Sequence, residues 1–252
     1  MKWIVIVTVL AGLAGCSTEP SELAHLEPQK AHASAKAHTA LAVAYYEQGQ
    51  YKIALGEAAL AIDADSNYAP AYNIRGLIHM TLLENGEAED DFQQGLEIDP
   101  KDPDTNINYG WFLCQHGKES DAIEHFMVAA KNPLYESPEK AYLNAGICEK
   151  KAGKVQDAER YLQRALLMQP NLPEALVQLA EVSFVNGDYA GAGSYFRRFE
   201  HATSAPLSAE NLLLAVRIER GLGNRRAEAH YAAELSSKYP DSREAQLLNQ
   251  VR

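Results

Sequence analysis

Most of this chain repeats at an interval of about 34 residues, and that period restricts the fold more than any other feature of the sequence. Six alanines recur at separations of 34, 34, 36, 34 and 35 residues: Ala54, Ala88, Ala122, Ala158, Ala192 and Ala227. Twelve positions before each alanine stands another small residue, namely Ala42, Gly76, Gly110, Gly146, Ala180 and Ala215. Four positions after each alanine stands an apolar residue, in most cases a large one: Ala58, Phe92, Phe126, Leu162, Phe196 and Tyr231. Such a period predicts a stack of six similar units.

The alternation of small and large residues predicts that each unit is a pair of antiparallel helices. Where two helices cross closely, a larger side chain would overpack the contact at a cost of roughly 1–3 kcal/mol. A small residue is therefore needed on each helix at the crossing. Glycine adopts the left-handed conformation that ends a helix at little cost, which fits the glycines at the expected turns: Gly49, Gly117, Gly153 and Gly187. Pro100 and Pro170 end second helices.

The resulting frame fixes the domain organisation. The six units span residues 35–68, 69–102, 103–136, 139–172, 173–206 and 208–241, and residues 242–252 are expected to form a C-terminal capping helix. The order of small residue, alanine, large apolar residue and proline resembles the tetratricopeptide repeat (TPR). We therefore predict an all-α, right-handed superhelical solenoid of six TPR helix pairs plus a capping helix.

The first fifteen residues are typical of a signal peptide that is not part of the fold. Lys2 precedes an apolar run from Trp3 to Leu13 that is too short to span a bilayer as a stable helix. The run ends in Leu-Ala-Gly followed by Cys16, which resembles a bacterial lipoprotein signal. That resemblance implies cleavage before Cys16 and lipidation of its thiol. The alternative is an ordinary secreted protein that has a cysteine there by chance.

Residues 16–34 are predicted to be the lipidated cysteine and a flexible tether. The segment is polar and contains Pro20 and Pro28. As a coil it would reach on the order of 25 Å. Ser17 follows the cysteine, where an aspartate often signals retention in the inner membrane, so the sequence favours the periplasmic face of the outer membrane.

Composition and motifs argue against catalysis. The formal net charge of −11 disfavours non-specific binding to nucleic acid. The chain has no P-loop, dinucleotide fingerprint, His-Glu-x-x-His or Gly-x-Ser-x-Gly. Its eight histidines are scattered, and the acidic run from Glu84 to Asp91 fits the N-terminus of a second helix better than a cation site. We expect no enzymatic activity, metal, cofactor or small-molecule substrate.

Cys114 and Cys148 remain once Cys16 is lipidated. Both fall late in the first helices of successive units, which pack side by side, and the periplasm is oxidising. A disulfide between them is geometrically plausible. The alternative is two buried free thiols that act as small apolar fillers.

The first helices should line the concave face of the stack. In the N-terminal half, the inward positions give a candidate partner-binding groove: Val43, Tyr46, Leu77, Met80, Ile107 and Trp111. The same positions in the sixth unit are Leu212, Val216 and Glu219. The face is mostly apolar with aromatic anchors, which suits an apolar or amphipathic partner segment such as a helix. The alternative is that these side chains only fill a tightly wound superhelix.

Four stretches go beyond the general repeat pattern. They are Asn-Ile-Asn-Tyr-Gly-Trp-Phe-Leu-Cys at 106–114, Asn-Pro-Leu-Tyr at 132–135, Ala-Tyr-Leu-Asn-Ala-Gly-Ile-Cys at 141–148 and Asn-Leu-Leu-Leu-Ala-Val-Arg at 211–217. With the lipoprotein signal, they resemble the PilF/PilW family of type IV pilus biogenesis and stability lipoproteins.

The resemblance implies a pilotin-like scaffold that helps the pilus secretin reach the outer membrane and form its multimeric ring, on which fibre stability and twitching motility depend. Cys16 carries over as the anchor, and there are no catalytic residues to carry over. Two alternatives stand beside it: a TPR lipoprotein scaffold for peptidoglycan or other envelope assembly enzymes, and a periplasmic enzyme.

Overall fold

The computed structural model describes residues 20–250, with side chains for residues 27–248, and within that range all regular structure is helical. The predicted all-α solenoid of six helix pairs and a C-terminal helix is confirmed. The helices are α1 (Pro20–Glu47), α2 (Tyr51–Ala64), α3 (Ala69–Thr81), α4 (Asn85–Ile98), α5 (Pro103–Gln115), α6 (Glu119–Lys131), α7 (Pro138–Lys151), α8 (Val155–Met168), α9 (Pro173–Val185), α10 (Tyr189–Ala202), α11 (Ala209–Gly221), α12 (Arg225–Lys238) and α13 (Arg243–Gln250).

Packing between helices runs along the chain from one unit to the next. Each odd-numbered helix from α1 to α11 pairs with the even-numbered helix that follows, and each pair packs on its neighbour. The first helices also touch one another in series, from α1 with α3 to α9 with α11, and α13 closes the stack against α11 and α12. The buried residues accordingly form a series of clusters rather than one central core. Each unit therefore depends on its neighbours to bury its apolar faces.

The small residues that define the period lie at the helix crossings. A Cβ atom added at Gly110 would come within 2.8 Å of the Phe126 ring, and one at Gly146 within 2.6 Å of Leu162 Cγ. Real Cβ atoms essentially never approach other heavy atoms so closely. In the second, third and fourth units the large residue thus occupies the space that the glycine leaves open, which is the steric reason for the repeat pattern there.

The turn after each first helix needs one residue in the left-handed region, and five of the six turns use glycine. Gly49, Gly117, Gly153, Gly187 and Gly223 have φ between 71° and 77°. In the second unit the same role falls to Leu83, with φ 63° and 80% of its side chain exposed. The left-handed conformation costs an ordinary residue roughly 1–2 kcal/mol, so this turn is the strained one of the set.

Replacing Leu83 with glycine is expected to raise the free energy of unfolding by about 0.5–1 kcal/mol, because relief of the left-handed strain exceeds the extra backbone entropy of glycine. The exposed side chain contributes little packing that would be lost. Urea denaturation followed by circular dichroism measures the change. Leu82→Gly is the matched control, since Leu82 has an ordinary φ of −81° and should lose stability. A lower midpoint for Leu83→Gly would contradict the strain argument.

The N-terminal tether is shorter than the sequence indicates. The structure continues α1 upstream to Pro20, so most of the segment predicted to be a flexible coil is helical. Pro28 lies inside this helix rather than breaking it. Residues 1–19, with the predicted signal peptide and Cys16, lie outside the described residues. In the described part of the chain, no helix has both the length and the apolarity needed to cross a membrane.

Candidate functional site

The six groove residues predicted from the sequence lie on three consecutive first helices. Val43 and Tyr46 are on α1, Leu77 and Met80 on α3, and Ile107 and Trp111 on α5. Because α3 contacts both α1 and α5, the three pairs follow one another across the stack. We call these six side chains the N-terminal groove.

Five of the six are half-buried, and Val43 is exposed. Leu77, Met80, Ile107 and Trp111 pack against the core cluster centred on Phe92, Phe112 and Phe126. Tyr46 and Leu77 pack on the neighbouring cluster that contains Ile74 and Ile78. Each of these five side chains thus rests partly on the core and leaves part of its surface accessible, so the groove is held in shape by internal packing.

Hydrogen bonds link the successive first helices that carry the N-terminal groove. Tyr46 Oη lies 3.1 Å from Thr81 Oγ1, which links α1 to the end of α3. Asn108 Nδ2 donates to Asn73 Oδ1 over 3.0 Å, which links α3 to α5. Since side-chain hydrogen bonds are directional, these two contacts set the register of the three helices. A partner would meet a preformed apolar surface, which lowers the entropy cost of binding.

Ionisable groups behind the groove are engaged in structural contacts. Burial lowers the pKa of His125, which keeps its imidazole neutral near pH 7. Its Nδ1 lies 2.9 Å from Asn106 Oδ1, and its ring packs edge-on against Tyr109 at 4.9 Å between centroids. Burial also raises the pKa of Tyr109 above its ordinary value. Among the described residues, no three His, Cys, Asp or Glu side chains are grouped as a metal site would require. The arrangement is suited to binding a protein segment.

A covalent link lies directly beside the groove. The structure joins Cys114, one turn after Trp111 on α5, to Cys148 on α7, with Cα atoms 5.8 Å apart and both residues almost fully buried. Lys151 Nζ donates to the carbonyl oxygens of Cys114 and Gln115 over 3.1 and 3.2 Å, at the C-terminus of α5. A cation there is favourable because it satisfies carbonyls without a helical partner. The disulfide bond therefore links the third and fourth units covalently beside the N-terminal groove.

The sequence placed inward residues at the opposite end of the stack but did not select that end as a candidate site. A cavity of about 540 Å³ lies between α9, α11 and α13, and its lining includes Leu213, Arg217 and Leu247. These three residues lie outside the inward positions of the repeat frame, whereas the same inward positions of the fourth and fifth units do line the cavity, through Lys150, Val177, Glu181 and Phe184. The available signal was the apolar spacing of Leu213 and Val216 on α11, to which α13 adds Leu247.

Models of two tetratricopeptide repeat families match the chain. One matches residues 39–103 and 143–206, and the other matches residues 91–124. The matched residues fall within the helix pairs described above and include every residue of the N-terminal groove. The repeat family inferred from the spacing is therefore supported independently of the geometry.

Similarity to individual proteins extends over nearly the whole chain. The type IV pilus assembly protein PilF of Pseudomonas aeruginosa is 24% identical over 243 residues, which cover 96% of this chain and 95% of that protein. The crystal structure of PilW, described as a widely conserved type IV pilus biogenesis factor, is 34% identical with a TM-score of 0.79 and covers 85% of this chain and 97% of its own. The structure of Pseudomonas aeruginosa pilF is 22% identical with a TM-score of 0.80, over 88% of this chain and 100% of that one.

Proposed function

The chain belongs to the tetratricopeptide-repeat family of type IV pilus biogenesis proteins that includes PilF and PilW, and we propose that within it this protein is an outer-membrane lipoprotein scaffold of the pilotin kind. Its partner is the pilus secretin subunit, which it helps to reach the outer membrane and to multimerise. Pilus stability and twitching motility follow from that role. The protein acts by binding and not by catalysis.

The observation that carries this proposal is the N-terminal groove. An apolar surface spread over three first helices matches the apolar stripe of an amphipathic helix, which would present anchors at intervals of three and four residues. Trp111 and Tyr46 are the residue types that most often dominate binding energy. Their partial burial supplies pre-organisation, since they rest on the core before a partner arrives. We assign the secretin segment to this groove.

The predicted lipidation of Cys16 supports a place at a membrane, and Ser17, where an aspartate often signals inner-membrane retention, favours the outer membrane. Cys16 follows a short apolar segment that ends in small residues, and it lies four residues before the start of α1. Several acyl chains together hold a protein stably at a bilayer, where a single chain does not. An anchored scaffold would meet secretin subunits at the membrane where the ring forms.

The test measures SDS-resistant secretin multimer in outer-membrane fractions. Loss of the multimer on deletion, restoration by the parent chain, and poor rescue by a chain with Cys16→Ala are expected. Trp111→Ser should also fail to restore the multimer, because it removes an apolar anchor from the groove. Leu167→Ser is the matched control and should rescue fully, since Leu167 is 74% exposed on α8, away from the groove. Circular dichroism of both variants separates a binding defect from unfolding.

If deletion of the protein leaves the secretin multimer at the parent level and in the outer membrane, the proposed secretin role is wrong. The same assay would then favour a scaffold for other envelope or peptidoglycan assembly enzymes, for which a cell-shape defect is the expected phenotype. If the folded Trp111→Ser variant restores the multimer to the parent level, the N-terminal groove is not the secretin site. The proposed role of Cys16 as the lipid anchor would still stand.

A further inference from the structure

The C-terminal end of the stack carries a second concave surface, which is distinct from the N-terminal groove. An apolar cavity of about 330 Å³ is lined by Phe184, Tyr189, Leu213, Val216, Leu247 and Leu248. It adjoins the cavity of about 540 Å³ described above, because Phe184, Leu213, Arg217 and Leu247 line both. Together they form one depression with an apolar and a polar compartment, which we call the C-terminal cleft.

The apolar compartment is preformed. Leu213, Val216 and Leu248 are buried beneath it, at 8%, 1% and 3% exposure. Its wall is held by the Tyr189 ring, whose Cδ1 would lie 2.5 Å from a Cβ atom on Gly221, so the close approach of this ring requires glycine. Phe184 packs on Tyr189 with 5.7 Å between ring centroids. A volume of this size lies at the lower end of the range for small-ligand pockets and accepts a single large side chain.

Two arginines of the cleft are without an ion-pair partner among the described carboxylates, namely Arg217 at the junction of the two compartments and Arg243 in the polar compartment alone. Lys150 is paired with Glu181 over 2.6 Å, and Arg220 with Glu228 over 2.6 Å. Of the two unpaired arginines, Arg217 lines both compartments and is exposed. An arginine beside a buried apolar surface is well placed to bind a carboxylate through two parallel hydrogen bonds.

The acidic lining of the cleft narrows the choice of occupant. Glu210 and Glu244 line the larger compartment, so a strongly acidic segment would be repelled there. A single carboxylate directly beside a large apolar side chain avoids that repulsion and meets both features of the cleft. We infer that the C-terminal cleft binds an extended segment of a partner protein that carries Phe or Leu followed by Glu or Asp.

This inference is independent of the N-terminal groove, and the test is a binding titration with defined peptides. The probes are three blocked hexapeptides, Ser-Gly-Phe-Glu-Gly-Ser, its Phe-Gln counterpart and its Ser-Glu counterpart, titrated against the full chain by saturation-transfer difference NMR. Replacement of Glu by Gln in the peptide should weaken binding about three- to tenfold, because it removes one charged hydrogen-bond partner. Replacement of Phe by Ser should weaken it at least about tenfold through lost apolar burial.

Two protein variants locate the site. Arg217→Gln should weaken binding of the Phe-Glu peptide as much as the replacement of Glu by Gln in the peptide does. The same variant should leave binding of the Phe-Gln peptide unchanged, because the two changes remove the same contact between arginine and carboxylate. Arg197→Gln is the matched control, since Arg197 is an exposed arginine on α10 outside the cleft, and it should change nothing. Both arginines are exposed, so neither variant should unfold. No binding of the Phe-Glu peptide, equal binding of the Phe-Gln peptide, or an Arg217→Gln variant that binds like the parent would each overturn the inference.

Discussion

Removing the Cys114–Cys148 bond by alanine at both positions is expected to lower the free energy of unfolding by about 3–4 kcal/mol. The bond closes a loop with a sequence separation of 34 residues, and closing a loop of that length restricts the unfolded chain by about this amount. A further loss comes from the two buried sulfur atoms, since both cysteines lie in the cores of their units. Urea denaturation followed by circular dichroism measures the change in midpoint.

The parent chain with reductant provides the control for this experiment. Its midpoint should fall toward that of the double-alanine variant, whereas the double-alanine variant itself should not respond to reductant. The single variant Cys148→Ala should behave like the double variant, because either change breaks the bond. An identical parent midpoint before and after reduction, with two free thiols confirmed by alkylation of the reduced sample, would contradict the expected stabilisation.

The second large effect is expected from Asp91→Ala in the second unit. Arg75 donates to Asp91 through Nε at 2.8 Å and Nη2 at 2.6 Å, and the Asp91 side chain is only 7% exposed. Hydrogen bonding to this carboxylate raises the pKa of the Arg75 guanidinium. Removing one partner of a buried pair leaves an uncompensated charge at a cost of about 3–5 kcal/mol. Because Arg75 keeps 29% of its side chain in solvent, we expect a loss of about 2–4 kcal/mol in free energy of unfolding.

A charge-free pair tests the cause of that loss. Asp91→Leu combined with Arg75→Met should recover most of the stability, since replacing both ions by apolar groups avoids the stranded charge. Lys118→Ala is the control for a surface pair, because Lys118 also lies 2.6 Å from a carboxylate, that of Glu89, but with 45% of its side chain exposed. It should move the urea midpoint little. A double variant no more stable than Asp91→Ala would show that packing, rather than the unpaired arginine, causes the loss.

The residues at the helix crossings were predictable because their constraint is local and steric. Gly110 and Gly146 face Phe126 and Leu162 within one unit, so the spacing in the sequence reflects a contact of the fold. The frame of helix pairs followed from that spacing, and the capping helix from the need of a solenoid end for a polar outer face. The candidate N-terminal groove could be placed on its three helices for the same reason, since one period separates equivalent positions.

Other features depend on contacts that no period records. The acidic run near the start of α4 reads as favourable for the helix N-terminus, yet its last member, Asp91, is buried against Arg75 of α3. Leu212 and Val216 occupy inward positions of the sixth unit but are buried, because they share a core cluster with Ala245 and Leu248 of α13, and of the two only Val216 lines the C-terminal cleft. The turn at Leu83 could not be inferred from composition, since leucine rarely adopts a positive φ.

The flexible coil predicted for the tether was wrong over residues 20–34, which are helical, for a different reason. Two prolines and a polar composition favour a coil, but the alanine-rich part of α1 has a high intrinsic helix propensity. Packing on α2 adds to it, with His32 Nδ1 3.0 Å from Asp65 Oδ2 and Ala35 fully buried. Once that contact forms, extending the helix upstream costs little, because each added residue gains one backbone hydrogen bond.

Because α1 is long, most of the predicted tether is a helical arm. Its 28 residues extend about 42 Å at 1.5 Å per residue, whereas the 14 residues of α2 extend about 21 Å. Residues 27–30 are exposed, so the arm projects beyond its pairing with α2. With Cys16 as the anchor that we propose, such an arm would limit how far the repeats can lie from the membrane surface. Partners confined to the same layer would meet the N-terminal groove at a higher effective concentration than a freely diffusing scaffold could offer.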